Sequence, residues 1–179
     1  MTVVKHKIIE EIALIEISNP PVNAISAAVR VGLLETIENL SLNEKIKAIV
    51  ITAPERTFLA GADIKEFGKK VDAPILGKIC DKIESLNKIV VASLHGTPLG
   101  GGLEVAMSAH YRIAAPNTKV GLPEVLLGIL PGAGGTQRLP RLCGVNIALD
   151  MMLTGKHVPV KEAQSSGIID EIAENDDTI

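Results

Sequence analysis

Two glycine-containing segments constrain the fold of this chain more than any other feature. Residues 58–66 are Phe-Leu-Ala-Gly-Ala-Asp-Ile-Lys-Glu, and residues 96–104 are Gly-Thr-Pro-Leu-Gly-Gly-Gly-Leu-Glu. Each pattern is typical of a strand end, a tight glycine turn and the start of a helix, although close strand–helix packing also explains such glycines. The turns leave backbone N–H groups unpaired at the positive end of a helix dipole. Two turns that face each other would form an oxyanion hole, in which N–H groups stabilise charge developing on an oxygen.

Two acidic residues accompany these turns. Glu104 lies two residues after the triple glycine, and Glu124 ends a Gly-Leu-Pro-Glu segment further along the chain. Each glutamate alone is also typical of an acid that complements the dipole at a helix start. The neighbours of both are mainly apolar, however, and burying an unpaired carboxylate is costly. Two acids in apolar surroundings beside an oxyanion hole therefore favour acid–base chemistry next to a carbonyl group.

Composition argues against several classes of partner. The chain has 179 residues, enough for one domain with a buried core, and a net charge of −3 with both signs interspersed. Aromatic residues make up only 2% of it, which disfavours stacking on single-stranded nucleic acid. No apolar run has the length of a membrane span. We therefore expect neither nucleic acid nor a membrane as a partner.

Cysteine and histidine usage gives no sign of a metal. Cys80 and Cys143 lie far apart without metal-ligand spacing, and the four histidines are scattered. Free thiols are typical of a reducing compartment. No secretory signal is visible, so we expect an intracellular protein, cytoplasmic if bacterial and in an undetermined organelle otherwise.

Apolar periodicity predicts alternating strands and helices, and hence an α/β domain. The predicted strands cover residues 12–17, 48–52, 89–92, 111–115 and 167–172. The predicted helices cover residues 26–40, 73–87, 102–109, 134–142, 146–153 and 160–166. We expect one domain over residues 1–179, with a core to about residue 172 and a frayed acidic end at 173–179.

The glycine segments resemble those of the enoyl-CoA hydratase/isomerase (crotonase) superfamily. Residues 19–26, 110–114 and 121–125 look closest to the N-terminal hydratase domain of multifunctional fatty-acid β-oxidation enzymes. The similarity runs in order along nearly the whole chain. It implies a crotonase-type spiral of ββα units, which periodicity alone does not indicate. Because the chain stops near the end of that spiral, we expect it to lack most of the family's C-terminal helical region.

The resemblance also implies an activity, the addition of water to trans-2-enoyl-CoA to give 3-hydroxyacyl-CoA. Glu104 would hold and activate the water, and Glu124 would transfer the proton at C2. The backbone N–H groups of Ala62 and Gly101 would form the oxyanion hole for the thioester oxygen. Gly132 would lie against the substrate and help to position the water.

The resemblance further implies how coenzyme A is bound and what the chain associates with. Arg56 and Lys65 would contact the phosphates of coenzyme A, although each is also typical of a solvated surface charge. Coenzyme A is part of the acyl-CoA thioester substrate, so no bound cofactor is implied. The chain would form a trimer-based homo-oligomer or be a domain of a larger multifunctional chain.

Other functions remain open. An isomerase that moves a double bond between the Δ3 and Δ2 positions needs only one acid to carry a proton between C2 and C4. A weakly active or non-catalytic acyl-CoA binding module is a second alternative, because of the short C-terminus. A serine peptidase on the same spiral is disfavoured, because the triple-glycine turn has no serine.

Overall fold

The computed structural model describes residues 2–69 and 72–175, and its strands form two sheets. The strands are β1 (Val4–Ile9), β2 (Ile12–Ile17), β3 (Ala48–Thr52), β4 (Ile89–Leu94), β5 (Tyr111–Ala114), β6 (Lys119–Val120), β7 (Val158–Pro159) and β8 (Glu171–Ile172). The main sheet has the order β1-β2-β3-β4-β5-β8, and β6 pairs with β7. Only the β1–β2 pair of the main sheet is antiparallel within the described residues. A parallel sheet crossed by helices confirms the predicted α/β class.

Helices connect the strands of the main sheet. They are α1 (Ala27–Leu42), α2 (Leu76–Glu84), α3 (Gly101–Ser108), α4 (Gly135–Cys143), α5 (Val145–Thr154) and α6 (Val160–Ser165), with 3-10 turns at Ile64–Glu66 and Pro123–Leu127. Each predicted helix is present. The one predicted at 73–87 is shorter, because Ile75 is extended and the helix ends at Ser85.

A second line of short pairings runs beside the main sheet. Ile25 pairs with Ala62, and Leu99 pairs with Gly121, in isolated parallel bridges. Ile25 lies between β2 and α1, Ala62 between β3 and α2, and Leu99 between β4 and α3. The chain therefore repeats the order of a long strand, a short extended segment and a helix. This is the ββα repeat that the resemblance implies.

An aliphatic core lies against one face of the sheet. The side chains of Ile15, Ile49 and Val90 on neighbouring strands are fully buried, as are those of Leu33 and Ile37 on α1. Burial alternates along β3, with Val50 only half-buried. The near-continuous apolar run at residues 48–52 is typical of a strand buried on both faces, but only one face of β3 is fully buried.

Three further parts of the sequence prediction need correction. The strand β1 was not predicted, and the strand predicted at 167–172 is reduced to β8 because the backbone of Gly167 is left-handed. The first glycine segment follows β3 after an irregular stretch and leads only into the 3-10 turn Ile64–Glu66. That turn ends at Glu66 and α2 begins only at Leu76, so Ala62 does not begin an α-helix.

The C-terminal segment is described only in part. Ala173 is buried, and its N–H donates to the carbonyl of Ala114. Residues 176–179 of the end predicted to fray lie outside the described residues.

Replacing Gly102 with alanine should destabilise the protein strongly. Alanine is the better helix former, but a Cβ atom at this position would overlap the carbonyl of Leu59, which is backbone and cannot rotate away. We expect the free energy of unfolding to fall by at least about 2 kcal/mol in urea titrations. Gly77→Ala in α2 is the matched control, because its Cβ would meet only ordinary contacts, the nearest at 3.8 Å. An equal effect of both substitutions would contradict this interpretation.

Candidate active site

A cavity of about 330 Å³ brings together residues from both glycine segments. Five residues predicted from the sequence line it: Ala62, Gly101, Glu104, Glu124 and Gly132. Most of the remaining wall is apolar and includes Ile64, Phe67, Leu76, Leu127, Ile129 and Leu130. Arg56 and Lys65 are exposed and do not belong to this lining. The cavity is therefore apolar, with two acids and two glycine turns at its wall.

The two glycine turns lie in direct contact. A methyl group added to Gly101 would lie 3.7 Å from the backbone nitrogen of Ala62. The N–H of Leu99 donates to the carbonyl of Leu59 at 3.3 Å, which joins the two segments just before the turns. Neither the Ala62 nor the Gly101 amide has a hydrogen-bond acceptor among the residues that the structure describes. Two free N–H groups thus lie close together at the cavity wall, which is the arrangement that an oxyanion hole requires.

Asn23 supports the first turn, and sequence analysis missed this role. It is fully buried, and its backbone is in the left-handed region at φ 57°. Its side-chain amide donates to the carbonyl of Ile17 at 3.2 Å and also to that of Phe58. Its own carbonyl accepts the N–H of Ala60 at 3.1 Å. Asn23 therefore ties the end of β2 to the segment that carries Ala62, and the Asn-Pro-Pro-Val-Asn sequence at 19–23 was the available signal.

Glu104 is held by backbone donors from a third segment. It lies in the first turn of α3 and is 2% exposed. One of its oxygens, Oε1, accepts the N–H of Ala133 at 2.7 Å and the N–H of Gly135 at 2.8 Å. Burial raises the pKa of Glu104, while the two N–H donors and the charge of Arg138 oppose that rise. Donors of this kind favour the ionised carboxylate.

Glu124 has a different environment. It lies in the 3-10 turn Pro123–Leu127 and is 8% exposed. Its Oε2 atom is buried and has no hydrogen-bond partner in the described residues. The pKa of Glu124 is raised to about 7. Burial is the largest cause, the charge of Glu104 also raises the pKa, and the backbone N–H of Glu124 opposes the rise. Glu124 is therefore a carboxyl group that can carry a proton near neutral pH, beside a second carboxyl group that accepts two backbone N–H groups.

The surroundings of the other predicted residues are simpler. The side chain of Asp63 accepts the N–H of Lys65 at 3.0 Å, so Asp63 caps its 3-10 turn. Gly132 is exposed at the cavity, but its neighbour Ala133 and the following Gly135 make the contacts to Glu104. Sequence analysis noted the glycines of this segment without finding these two donors.

Residues 2–69 and 72–175 hold neither a cluster of metal-ligating side chains nor a helix that could span a membrane. Within these ranges no three His, Cys, Asp or Glu side chains are grouped so that they could hold a metal ion. No helix there is long and apolar enough to cross a membrane.

Comparison with known proteins identifies the family. The family model described as enoyl-CoA hydratase/isomerase matches residues 7–179. The chain belongs to this family. The membership inferred from the two glycine segments is thereby confirmed.

Relatives of the enoyl-CoA hydratase/isomerase chain include large peroxisomal and glyoxysomal proteins. The peroxisomal bifunctional enzyme of Danio rerio is 48% identical over 163 residues, which cover 91% of this chain and 23% of that protein. The glyoxysomal fatty acid beta-oxidation multifunctional protein MFP-a of Cucumis sativus is 44% identical over 177 residues, covering 94% of this chain and 24% of that protein. The chain thus spans about a quarter of the length of these relatives.

Comparison with solved structures confirms the crotonase-type fold. The enoyl-CoA hydratase of Thermoplasma volcanium has a TM-score of 0.91 and 32% identity, covering 99% of this chain and 74% of that one. DspI of Pseudomonas aeruginosa has a TM-score of 0.93 and 30% identity, and the match covers 99% of this chain and 71% of the DspI chain.

Replacing Glu124 with glutamine should stabilise this hydratase/isomerase-family chain at high pH. The folded pKa of about 7 lies above the ordinary value of 4.5, so the folded state binds more protons between these two values. Stability is therefore lost as the pH rises through this window, and a neutral amide removes that loss. Because the cavity admits solvent, we expect a gain of about 1–2 kcal/mol near pH 8 and little near pH 5.

Urea titrations at both pH values measure this difference between the variant and the wild type. Glu35→Gln, on the exposed side of α1, is the matched control and should show no such pH dependence. A gain for Glu124→Gln that is the same at both pH values would show that Glu124 does not titrate in this window.

Proposed function

We propose that the chain hydrates trans-2-enoyl-CoA to 3-hydroxyacyl-CoA in fatty-acid β-oxidation. The observation that carries the proposal is the meeting of two free backbone amides and two buried glutamates at one apolar cavity. The name of the Cucumis sativus relative, a glyoxysomal fatty acid beta-oxidation multifunctional protein, supports the same pathway. The apolar wall suits a fatty acyl chain, and the free amides suit its thioester oxygen.

The chemistry follows from where charge develops. Water attacks C3 of the conjugated thioester, and the electron pair of the double bond moves toward C2 and the thioester oxygen. The amides of Ala62 and Gly101 stabilise the negative charge on that oxygen. C2 must then receive a proton, while the attacking water must lose one. Two groups in opposite protonation states serve these two transfers.

Glu104 is suited to accept the proton from water. Its Oε1 atom is engaged by two N–H donors, which favour the anion and fix the side chain while the carboxylate still lines the cavity. Gly132, which precedes these donors and lines the same cavity, lies where its backbone can help to position the water.

Glu124 is suited to supply the proton to C2. Its pKa of about 7 allows the protonated form near neutral pH, in contrast to the hydrogen-bonded Glu104. Isomerisation needs only one such acid, so the presence of two favours hydration. Enzymes commonly use different environments to hold two carboxyl groups in opposite protonation states for acid–base catalysis.

Other parts of the proposal concern the substrate and the setting. Arg56 and Lys65, both exposed cations outside the cavity lining, would meet the coenzyme A phosphates at the surface. Coenzyme A enters as part of the substrate, so no resident cofactor takes part. An intracellular, reducing location agrees with the free cysteines Cys80 and Cys143. Membership of a trimer-based oligomer or of a larger multifunctional chain stays a prediction.

Hydration of crotonyl-CoA tests the proposal, followed as loss of the absorbance of the conjugated thioester. Glu104→Gln and Glu124→Gln should each lower kcat by at least about 100-fold, because each removes one proton-transfer group. The Glu35→Gln control should retain wild-type turnover. Wild-type hydration no faster than that of the double glutamine variant would refute the proposal and favour an acyl-CoA binding module.

Substitutions at Ala62 separate the backbone amide from its side chain. Proline removes the N–H and should lower kcat by about 100-fold or more, since an oxyanion donor is lost. Serine keeps the N–H at an exposed position and should leave turnover nearly unchanged. Circular dichroism checks that both variants fold. Equal turnover of the two variants would exclude the Ala62 amide from the oxyanion hole.

A further inference from the structure

A buried arginine connects the loop around Glu104 to a neighbouring helix. Arg138 lies in the middle of α4, and its side chain is largely buried. Its Nη1 donates to the carbonyl of Ala133 at 2.9 Å. Its Nη2 lies 2.8 Å from an oxygen of Asp81 and 2.7 Å from an oxygen of Glu84, both on α2. One guanidinium thus fixes a loop carbonyl and two carboxylates at the same time.

The carbonyl that Arg138 holds stands between the two donors to Glu104. The N–H of Ala133 precedes that carbonyl in the chain and the N–H of Gly135 follows it, and both point to Oε1 of Glu104. Gly134 has a left-handed backbone at φ 99°, and a side chain at this position would collide with the guanidinium. The loop therefore takes its tight shape around the arginine, with its carbonyl toward Arg138 and its N–H groups toward Glu104.

We propose that Arg138 is a positioning residue, which holds the Ala133–Gly135 loop so that two backbone amides fix Glu104 for catalysis. This inference rests on the proposed hydration chemistry for the role of Glu104. Arg138 acts through the loop and does not line the cavity. Its anchors, Asp81 and Glu84, have mainly exposed side chains, so the arrangement is not required merely to neutralise buried acids.

The charges around Glu104 support the same assignment. The charge of Arg138 on α4 lowers the pKa of Glu104, and the charge of Glu104 in turn raises the pKa of Cys80 on α2 and of Glu124 in its 3-10 turn. Burial raises the pKa of Cys80 to about 12, so its thiol is neutral. A negative charge on Glu124 would disfavour a second negative charge on the neighbouring Glu104. Arg138 is thus the cation that counters the burial of Glu104, both directly and through the two loop amides.

The first test replaces Arg138 with methionine, which keeps an unbranched, flexible side chain, although a shorter one, and removes the donors and the charge. The pKa of Glu104 should rise, seen by NMR of protein labelled with ¹³C at the glutamate carboxyl, with the signal assigned by its loss in Glu104→Gln. The acid limb of the kcat profile should move to higher pH, and kcat should fall by about tenfold with little change in KM. Arg141→Met on the same helix is the control, since Arg141 is exposed and bonds only to Gln137 in the described structure.

A second variant keeps the arginine and removes its anchors. Asp81→Asn combined with Glu84→Gln changes only exposed side chains, so this variant should fold. It tests the positioning role of Arg138 even if Arg138→Met does not fold. Amide hydrogen exchange at Ala133 and Gly135 should become faster, and kcat should fall severalfold at constant KM. Unchanged exchange and unchanged kcat in this variant, or an unchanged Glu104 titration in folded Arg138→Met, would overturn the inference.

The same measurements separate this inference from the proposed function. If the wild type does not hydrate crotonyl-CoA, the proposed function fails. If the Glu104 titration and the loop amides nevertheless respond to Arg138, the positioning role stands. If hydration is observed and neither responds, only the positioning role fails.

Discussion

The close approach of Gly102 to the carbonyl of Leu59 is the contact on which the site depends. Because no side chain separates them, two segments far apart in the sequence come within backbone distance. The amides of Ala62 and Gly101 consequently reach the same cavity, and α3 is oriented so that Glu104 faces it. The absence of a Cβ atom at one position thereby determines the geometry of several others.

A second constraint is the difference in hydrogen bonding between the two buried acids. Glu104 receives N–H groups from Ala133 and Gly135, whereas Glu124 keeps a buried oxygen without a partner. The loop that makes this difference is itself attached to α2 through Arg138. The acid–base properties of the cavity therefore depend on contacts among three separate helices and a loop, and not on the glutamates alone.

Sequence reasoning was most successful where local pattern and burial coincide. The apolar run of β3 and the glycines before α3 predicted their elements to within a residue. The strand β1 was not predicted because it is an edge strand. The side chains after Val4 are all exposed, so apolar and polar residues do not alternate along it. Helix α2 was overestimated because Pro74 and Ile75 continue its apolar spacing without helical backbone. Local spacing measures amphipathicity, whereas a helix boundary depends on backbone hydrogen bonds.

In the candidate site, too, residues with a local sequence pattern were predicted and contacts between distant segments were not. Glu104, Glu124 and the two glycine turns have local signatures, and the structure places them at one cavity. Several supporting contacts of Asn23 and Arg138, to Thr57, Glu84 and Asp81, reach residues 34 to 57 positions away in the chain, where no local pattern records them. Their geometry emerges only from the packing of the ββα repeats.

A charge-stabilising site made of main-chain groups also has an evolutionary consequence. Because the free amides belong to the peptide backbone at Ala62 and Gly101, mutation can alter a neighbouring side chain without deleting the donor, provided that the turn is kept. Under the proposed hydration, acyl-chain preference can therefore diverge through apolar wall residues such as Leu130 while the two amides are kept. Selection would then act on the shape of two turns more strictly than on the identity of most residues within them.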